Sequence, residues 1–343
     1  MTGIFLVEDK FPVKDNNEQL TGVRLLFSTG FNMHTANNHI WIMVIFSVFF
    51  WGSNFNVIAE LDANLPPIIS SMIRFVIASV IFSLTFFFFR GKNIALTIKD
   101  MLSFAVLGFL GVFCFNYTIF VGMKSTSAIN GALIMANMPL ASILFSRLLL
   151  NVKVTLLQYI GLMLGLFGVF LVIAKGNVAA LRYNSGDIWL AVSCVCGGLY
   201  AVLTKKLIAH VPPVQATRWT ILFGTAFMLV SAALTQDINY DYLSISRLSY
   251  TLLAYMAIAG TVLAYYFWVK GCQQLGPEKA SVTTNLMPVF TLVISFMMGK
   301  SIESVQITGM VVIIIGVLMG TGYIGTIRSV SSGKAVAQPK VSE

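Results

Sequence analysis

At 343 residues the chain has room for one or two soluble domains, but 57% of it is hydrophobic and only 10% charged. Soluble domains are roughly half apolar and a quarter charged, so water is not its main solvent. The net charge of +9 arises from 22 Lys and Arg scattered between apolar runs, and without a contiguous basic surface nucleic acid is excluded as a partner.

Residues 1–39 read as a tail. Glu8 and Asp9 stand where a signal peptide would be basic, and Met33 offers an alternative start. About twenty apolar residues span a hydrocarbon core of roughly 30 Å, and ten such runs follow: 40–59, 67–89, 101–122, 126–149, 154–174, 187–208, 213–234, 249–272, 278–299 and 304–325. Turn and charge signals separate them, among them Pro66-Pro67, Arg90-Gly91-Lys92, Asn184-Ser185-Gly186, Pro212-Pro213 and Gly276-Pro277. Residues 326–343 form a second tail. The fold expected is an all-α membrane protein of ten transmembrane helices.

Loops rich in Lys and Arg stay cytoplasmic. With the N-terminus inside, fifteen of the 22 cations fall on inner segments and five on outer ones, Arg74 and Arg218 lying within spans. Both termini are therefore expected in the cytoplasm.

The two halves correspond. An offset of 146 brings Trp51-Gly52 onto Gly197-Gly198 and Pro66-Pro67 onto Pro212-Pro213. An offset of 149 brings Gly111 onto Gly260, Tyr117 onto Tyr266 and Met138-Pro139 onto Met287-Pro288, and one of 148 brings Gln158 onto Gln306. Residues 40–175 and 186–325 are thus expected to be two five-helix repeats. Five crossings is an odd number, so the second copy must be inverted, and such a pseudo-symmetric pair can open a central site first to one side and then to the other. Glu60 and Asp62 before one Pro-Pro turn and Lys205 and Lys206 before the other agree with this.

The sequence resembles the EamA-type transporters of the drug/metabolite transporter superfamily. The likeness rests on Phe50-Trp51-Gly52-Ser53-Asn54-Phe55, Pro66-Pro67 followed by Arg74, Met138-Pro139, Gly276-Pro277-Glu278-Lys279-Ala280, Met287-Pro288 and the five-plus-five layout. It covers residues 40–325. It implies a bacterial inner-membrane transporter, commonly an exporter of amino acids or other metabolites, with a cavity between its halves. The expected function is export of a small metabolite, such as an amino acid or related zwitterionic or amphipathic compound. A channel and a membrane-embedded receptor are the alternatives. The expected partners are that substrate, the lipid bilayer and, as a candidate, a second copy in a homodimer; no cofactor is expected.

Candidate substrate-binding residues are the polar and aromatic groups inside the spans: Trp51, Asn54, Asn56, Arg74, Asn116, Tyr117, Asn137, Tyr200, Tyr265, Tyr266 and Asn285. Buried charges in membranes face protein or water. Arg74 is accordingly either a site for an anionic group or a snorkelling side chain, and Arg218, nearer an edge, reads as structural. Amides and hydroxyls serve helix packing more often than ligands. Asn130 and Asn137 share a helix face by their spacing, and Trp268 joins Trp51 as a stacking surface or core. Pro139 and Pro288 are candidate hinges, because a proline frees the carbonyl four residues earlier, at Met135 and Thr284.

Glycine patterns need a different reading. Gly161-x-x-x-Gly165 and Gly316-x-x-x-Gly320 suit close helix packing, whereas Gly320-x-Gly322-x-x-Gly325 follows no strand and is no dinucleotide fingerprint. The four cysteines lie in apolar runs and act as small hydrophobes. His34, His39 and His210 fall outside the spans and the thirteen acids sit in tails, loops or span ends, which removes the usual intramembrane catalytic sets. With no carboxylate at mid-membrane, export is expected to be uncoupled, or coupled through Glu60 or Glu278.

Overall fold

The computed structural model describes residues 38–54, 56–58, 60–61, 65–88, 93–123, 125, 134–174, 184–235 and 240–321. The chain divides into Met1–His39 and Ile40–Glu343, and the expectations for the two tails, like those for Asn130 and Asp62, lie outside the described residues. No strand occurs among the described residues.

Ten helices are described. α1 is Asn38–Ile58 and α2 is Pro67–Phe88. α3 runs through Ile98–Leu107, a π-helical Gly108–Cys114 and Phe115–Met123. α4 is Met138–Leu150, α5 Leu156–Ala174, α6 Gly186–Ile208 and α7 Pro213–Leu234. α8, Arg247–Leu275, contains a second π-helical stretch, Ile258–Leu263. α9, Pro277–Met297, is interrupted by a 3-10 turn at Thr283–Leu286, and α10 is Ser304–Gly320.

Eight of these are long and apolar enough to cross a membrane. The other two of the ten expected spans are represented among the described residues by shorter apolar helices. α4 has 13 residues and α10 has 17, about 20 and 26 Å at 1.5 Å per residue. Pro139 sits in the first turn of α4, where a missing N–H costs nothing, and residues 126–133 of the expected span lie outside the described residues.

Local sequence sets the helix ends. Thr97 and Asp100 form a capping box at the start of α3, and Ser246 caps α8 through Ser249 N–H. Thr155 with Gln158, and Glu303 with Gln306, bond side chain to backbone in the same reciprocal way before α5 and α10. Each arrangement satisfies N–H groups that a helix start leaves open. These devices recur at the sequence offsets of 149 and 148, as the two π-helical stretches do at 149.

α5 and α10 cross closely on glycine. A Cβ at Gly161 would lie 2.7 Å from Gly316 O, and one at Gly168 2.8 Å from Gly309 O. The expected packing role of these glycines is what the structure has.

Contacts at the helix ends sort into two groups. Leu65, Ile69 and Met72 pack with Ala232, Ile245 and Leu253. Separately, Asp100 meets His210 at 3.0 Å, Gln215 exchanges hydrogen bonds with the backbone of Ile94, and Gln273 donates to Ile208 O and Val211 O. Arg218 is buried and donates to Asn93 Oδ1 at 3.4 Å.

Candidate substrate-binding site

The largest buried cluster gathers side chains from α1, α2, α3, α4, α6, α7, α8 and α9. α1 is fastened to α8 by three bonds, at its π-helical stretch and on either side of it. Ser47 Oγ donates to Ala264 O at 2.9 Å, Trp51 Nε1 donates to Gly260 O at 3.1 Å, and the Ser53 and Tyr255 hydroxyls lie 2.7 Å apart. Trp51 thereby presents its ring to Tyr265, 5.9 Å away edge-on, and to Trp268 at 5.1 Å. Phe75 and Tyr200 also close on Tyr265, at 6.1 and 6.3 Å.

The π-helical turns build the polar part. Wider turns of this kind free backbone carbonyls, and they recur at functional sites. Tyr265 donates its hydroxyl to Gly111 O at 3.2 Å, and Asn116 Nδ2 donates to Val112 O at 2.6 Å. Asn116, so held, accepts from Arg74 Nη2 at 3.0 Å, while the guanidinium sits 4.6 Å over the Phe75 ring. Glycine in each π-helical turn leaves room for a neighbour. The Tyr200 ring lies where a Cβ on Gly111 would be, and Asn54 Oδ1 is 2.6 Å from where one on Gly260 would be.

Several buried polar atoms here have no hydrogen-bond partner: Asn54 Oδ1, Arg74 Nε and Tyr200 OH. Each such atom costs about 1–3 kcal/mol, so the core is polar at a cost that apolar packing would avoid. Arg74 is 9% exposed; it turns into the protein, and the snorkelling alternative is set aside. Among the described residues no carboxylate pairs with it, and no cluster of three metal-binding side chains exists.

Not every expected residue joins this group. Asn56 ties α1 to α9, donating to Thr291 O at 3.1 Å and accepting from Ser295 Oγ at 2.6 Å. Asn137 is exposed, its Nδ2 bonded locally to Ile134 O at 3.3 Å. Tyr117 stacks on Phe113 at 5.6 Å, and Tyr266 is half-buried beside Phe267 and Lys270. The reason is helical rotation: one residue beyond Asn116 or Tyr265 the side chain points about 100° away. Asn285 lies elsewhere, 1% exposed against Gly165, with neither amide atom bonded.

The two prolines differ from the expected kinks. Both occupy the first turn of a helical segment that follows a break, at Met138 and Met287. The carbonyls they were expected to bare have partners: Cys194 Sγ lies 3.8 Å from Met135 O, and Met287 N–H donates to Thr284 O. Sequence reasoning missed Phe75 and the Gly111 and Val112 carbonyls, for which no residue pattern announces a π-helical turn.

The EamA-like transporter family model matches the chain twice, over residues 39–174 and 184–321. The uncharacterized transporter YyaM of Bacillus subtilis (strain 168) is 32% identical over 290 residues, 83% of this chain and 94% of that protein. The uncharacterized inner membrane transporter YicL of Salmonella typhimurium is 22% identical over 262 residues, 74% and 85% of the two chains. A solved crystal structure shares the fold at a TM-score of 0.70 and 17% identity, across 85% of this chain and 99% of the other. Two matches that cover most of its length, on helices apolar enough to cross a bilayer, place the chain in the EamA-like transporter family, as a multi-pass membrane protein with two copies of the family domain.

Proposed function

We propose that the protein exports a small metabolite, an amino acid or a related amphipathic compound, across a bacterial inner membrane by alternating access. Two inverted five-helix repeats, 40–175 and 186–325, would form the moving halves, with both termini cytoplasmic. The observation that carries the reading is the buried cluster itself: aromatic rings, one cation and three unbonded polar atoms, between elements of both copies of the domain.

Reciprocal contacts support the inverted repeat. Asn54 rests on Gly260 and Tyr200 on Gly111; Gly52 meets Phe290 and Gly198 meets Ala141. Ser79 bonds its own counterpart, Thr225, at 2.8 Å, an offset of 146. A two-fold axis lying in the membrane plane would map each of these contacts onto its mate. The inner-membrane assignment draws on the name of YicL. Comparative metabolomics of medium and cytoplasm, with and without expression, followed by vesicle uptake of any compound that shifts, tests the proposal. A carrier gives saturable uptake and counterflow. Non-saturating conductance, or no shifted compound, would oppose it.

A further inference from the structure

We propose that Arg74 and Asn116 form a carboxylate subsite, and that the exported metabolite is an organic acid whose apolar or aromatic body rests on Trp51, Phe75 and Trp268. This rests on the transporter reading and names the chemistry of its substrate.

The argument starts from the charge. A guanidinium stays protonated in proteins and presents five N–H donors in a planar fork. Arg74 is buried, yet one donor, Nη2, reaches an acceptor, Asn116 Oδ1, and Nε has none. Leaving a buried charge without a counter-charge costs more than a buried pair does. No described residue supplies one. An anion brought by the substrate does, and a carboxylate matches the fork in size and plane.

The surroundings hold the guanidinium ready. Asn116 is itself fixed by Val112 O of the π-helical turn, and the Phe75 ring supports the guanidinium from 4.6 Å. From Phe75 the aromatic run continues to Tyr265 at 6.1 Å, and Trp51 lies 5.9 Å from Tyr265 and 5.1 Å from Trp268, wide apolar faces for the rest of the molecule. One cation suits one carboxylate. A phosphate monoester dianion would be left undercompensated.

The test measures binding to the purified full-length protein by thermal shift and by fluorescence of Trp51 and Trp268. The probes are matched pairs: 3-phenylpropionate and its amide, indole-3-propionate and its amide, and phenylalanine and phenylalaninamide, with phenyl phosphate alongside. Charged hydrogen bonds to a buried guanidinium are worth about tenfold to a hundredfold in affinity. At least one carboxylate should therefore exceed its amide by about tenfold, and phenyl phosphate should bind no better than the acids. Arg74→Gln should bring each pair within about twofold. Asn116→Asp gives Arg74 a resident counter-charge at almost unchanged shape and should do the same, even if Arg74→Gln proves too unstable to assay. The proposal is overturned if no carboxylate is preferred by the wild type, or if the preference survives Asn116→Asp. Carboxylate preference without transport would sink the transporter reading alone, and transport of neutral compounds without that preference would sink this one alone.

Discussion

The glycine crossing of α5 and α10 invites the most demanding test of the packing account. In Gly161→Ala the new methyl would lie 2.7 Å from both Gly316 O and Met319 Cβ and closer still to Gly320 N. Carbon contacts are comfortable at roughly 3.5–4.0 Å, so the helices must part by about 1 Å. Two of the three obstacles are backbone atoms, which cannot rotate aside. Overpacking of this kind costs about 1–3 kcal/mol, and because one displacement loosens the whole crossing we expect about 2–3 kcal/mol. The assay is reversible unfolding in mixed micelles by steric trapping, with Val311→Ala as the control. Val311 is 52% exposed on α10, and such a surface change should stay within about 0.5 kcal/mol. Equal stability of Gly161→Ala and wild type would refute the close crossing.

Other consequences are sharper in sign than in size. Asn56→Ala removes bonds to Thr291 O and Ser295 Oγ; it should lower unfolding free energy by about 1–2 kcal/mol and leave substrate affinity as it was. Asn285→Leu should raise stability by about 1 kcal/mol, measured by the same unfolding, because neither amide atom of Asn285 is bonded and an apolar group of that shape removes the penalty. Asp100→Ala deletes both the capping box of α3 and the contact with His210, and should cost about 1–2 kcal/mol.

Apolar run length made the helices legible because lipid imposes one physical demand, that each span satisfy its own backbone. Residues 213–234 form α7 as expected, for that reason. Three features were not legible. The π-helical turns at Gly108–Cys114 and Ile258–Leu263 depend on what packs against their glycines, which one strand of sequence does not display. The rotation of each helix about its axis was equally hidden, so Asn116 and Tyr117 were indistinguishable although one bonds Arg74 and the other stacks on Phe113. For Arg74, depth along the span could not separate an inward guanidinium from a snorkelling one. Distant partners decided that, with Asn116 lying 42 residues away.

Sidedness carries the central claim. In a background with Cys114, Cys194, Cys196 and Cys272 replaced by serine, single cysteines at the exposed positions Glu60 and Lys206 can be treated with a membrane-impermeant maleimide in intact and permeabilised cells. The inverted repeat predicts that Glu60→Cys reacts in intact cells and Lys206→Cys reacts after permeabilisation alone. Reaction of both from the same side would contradict it.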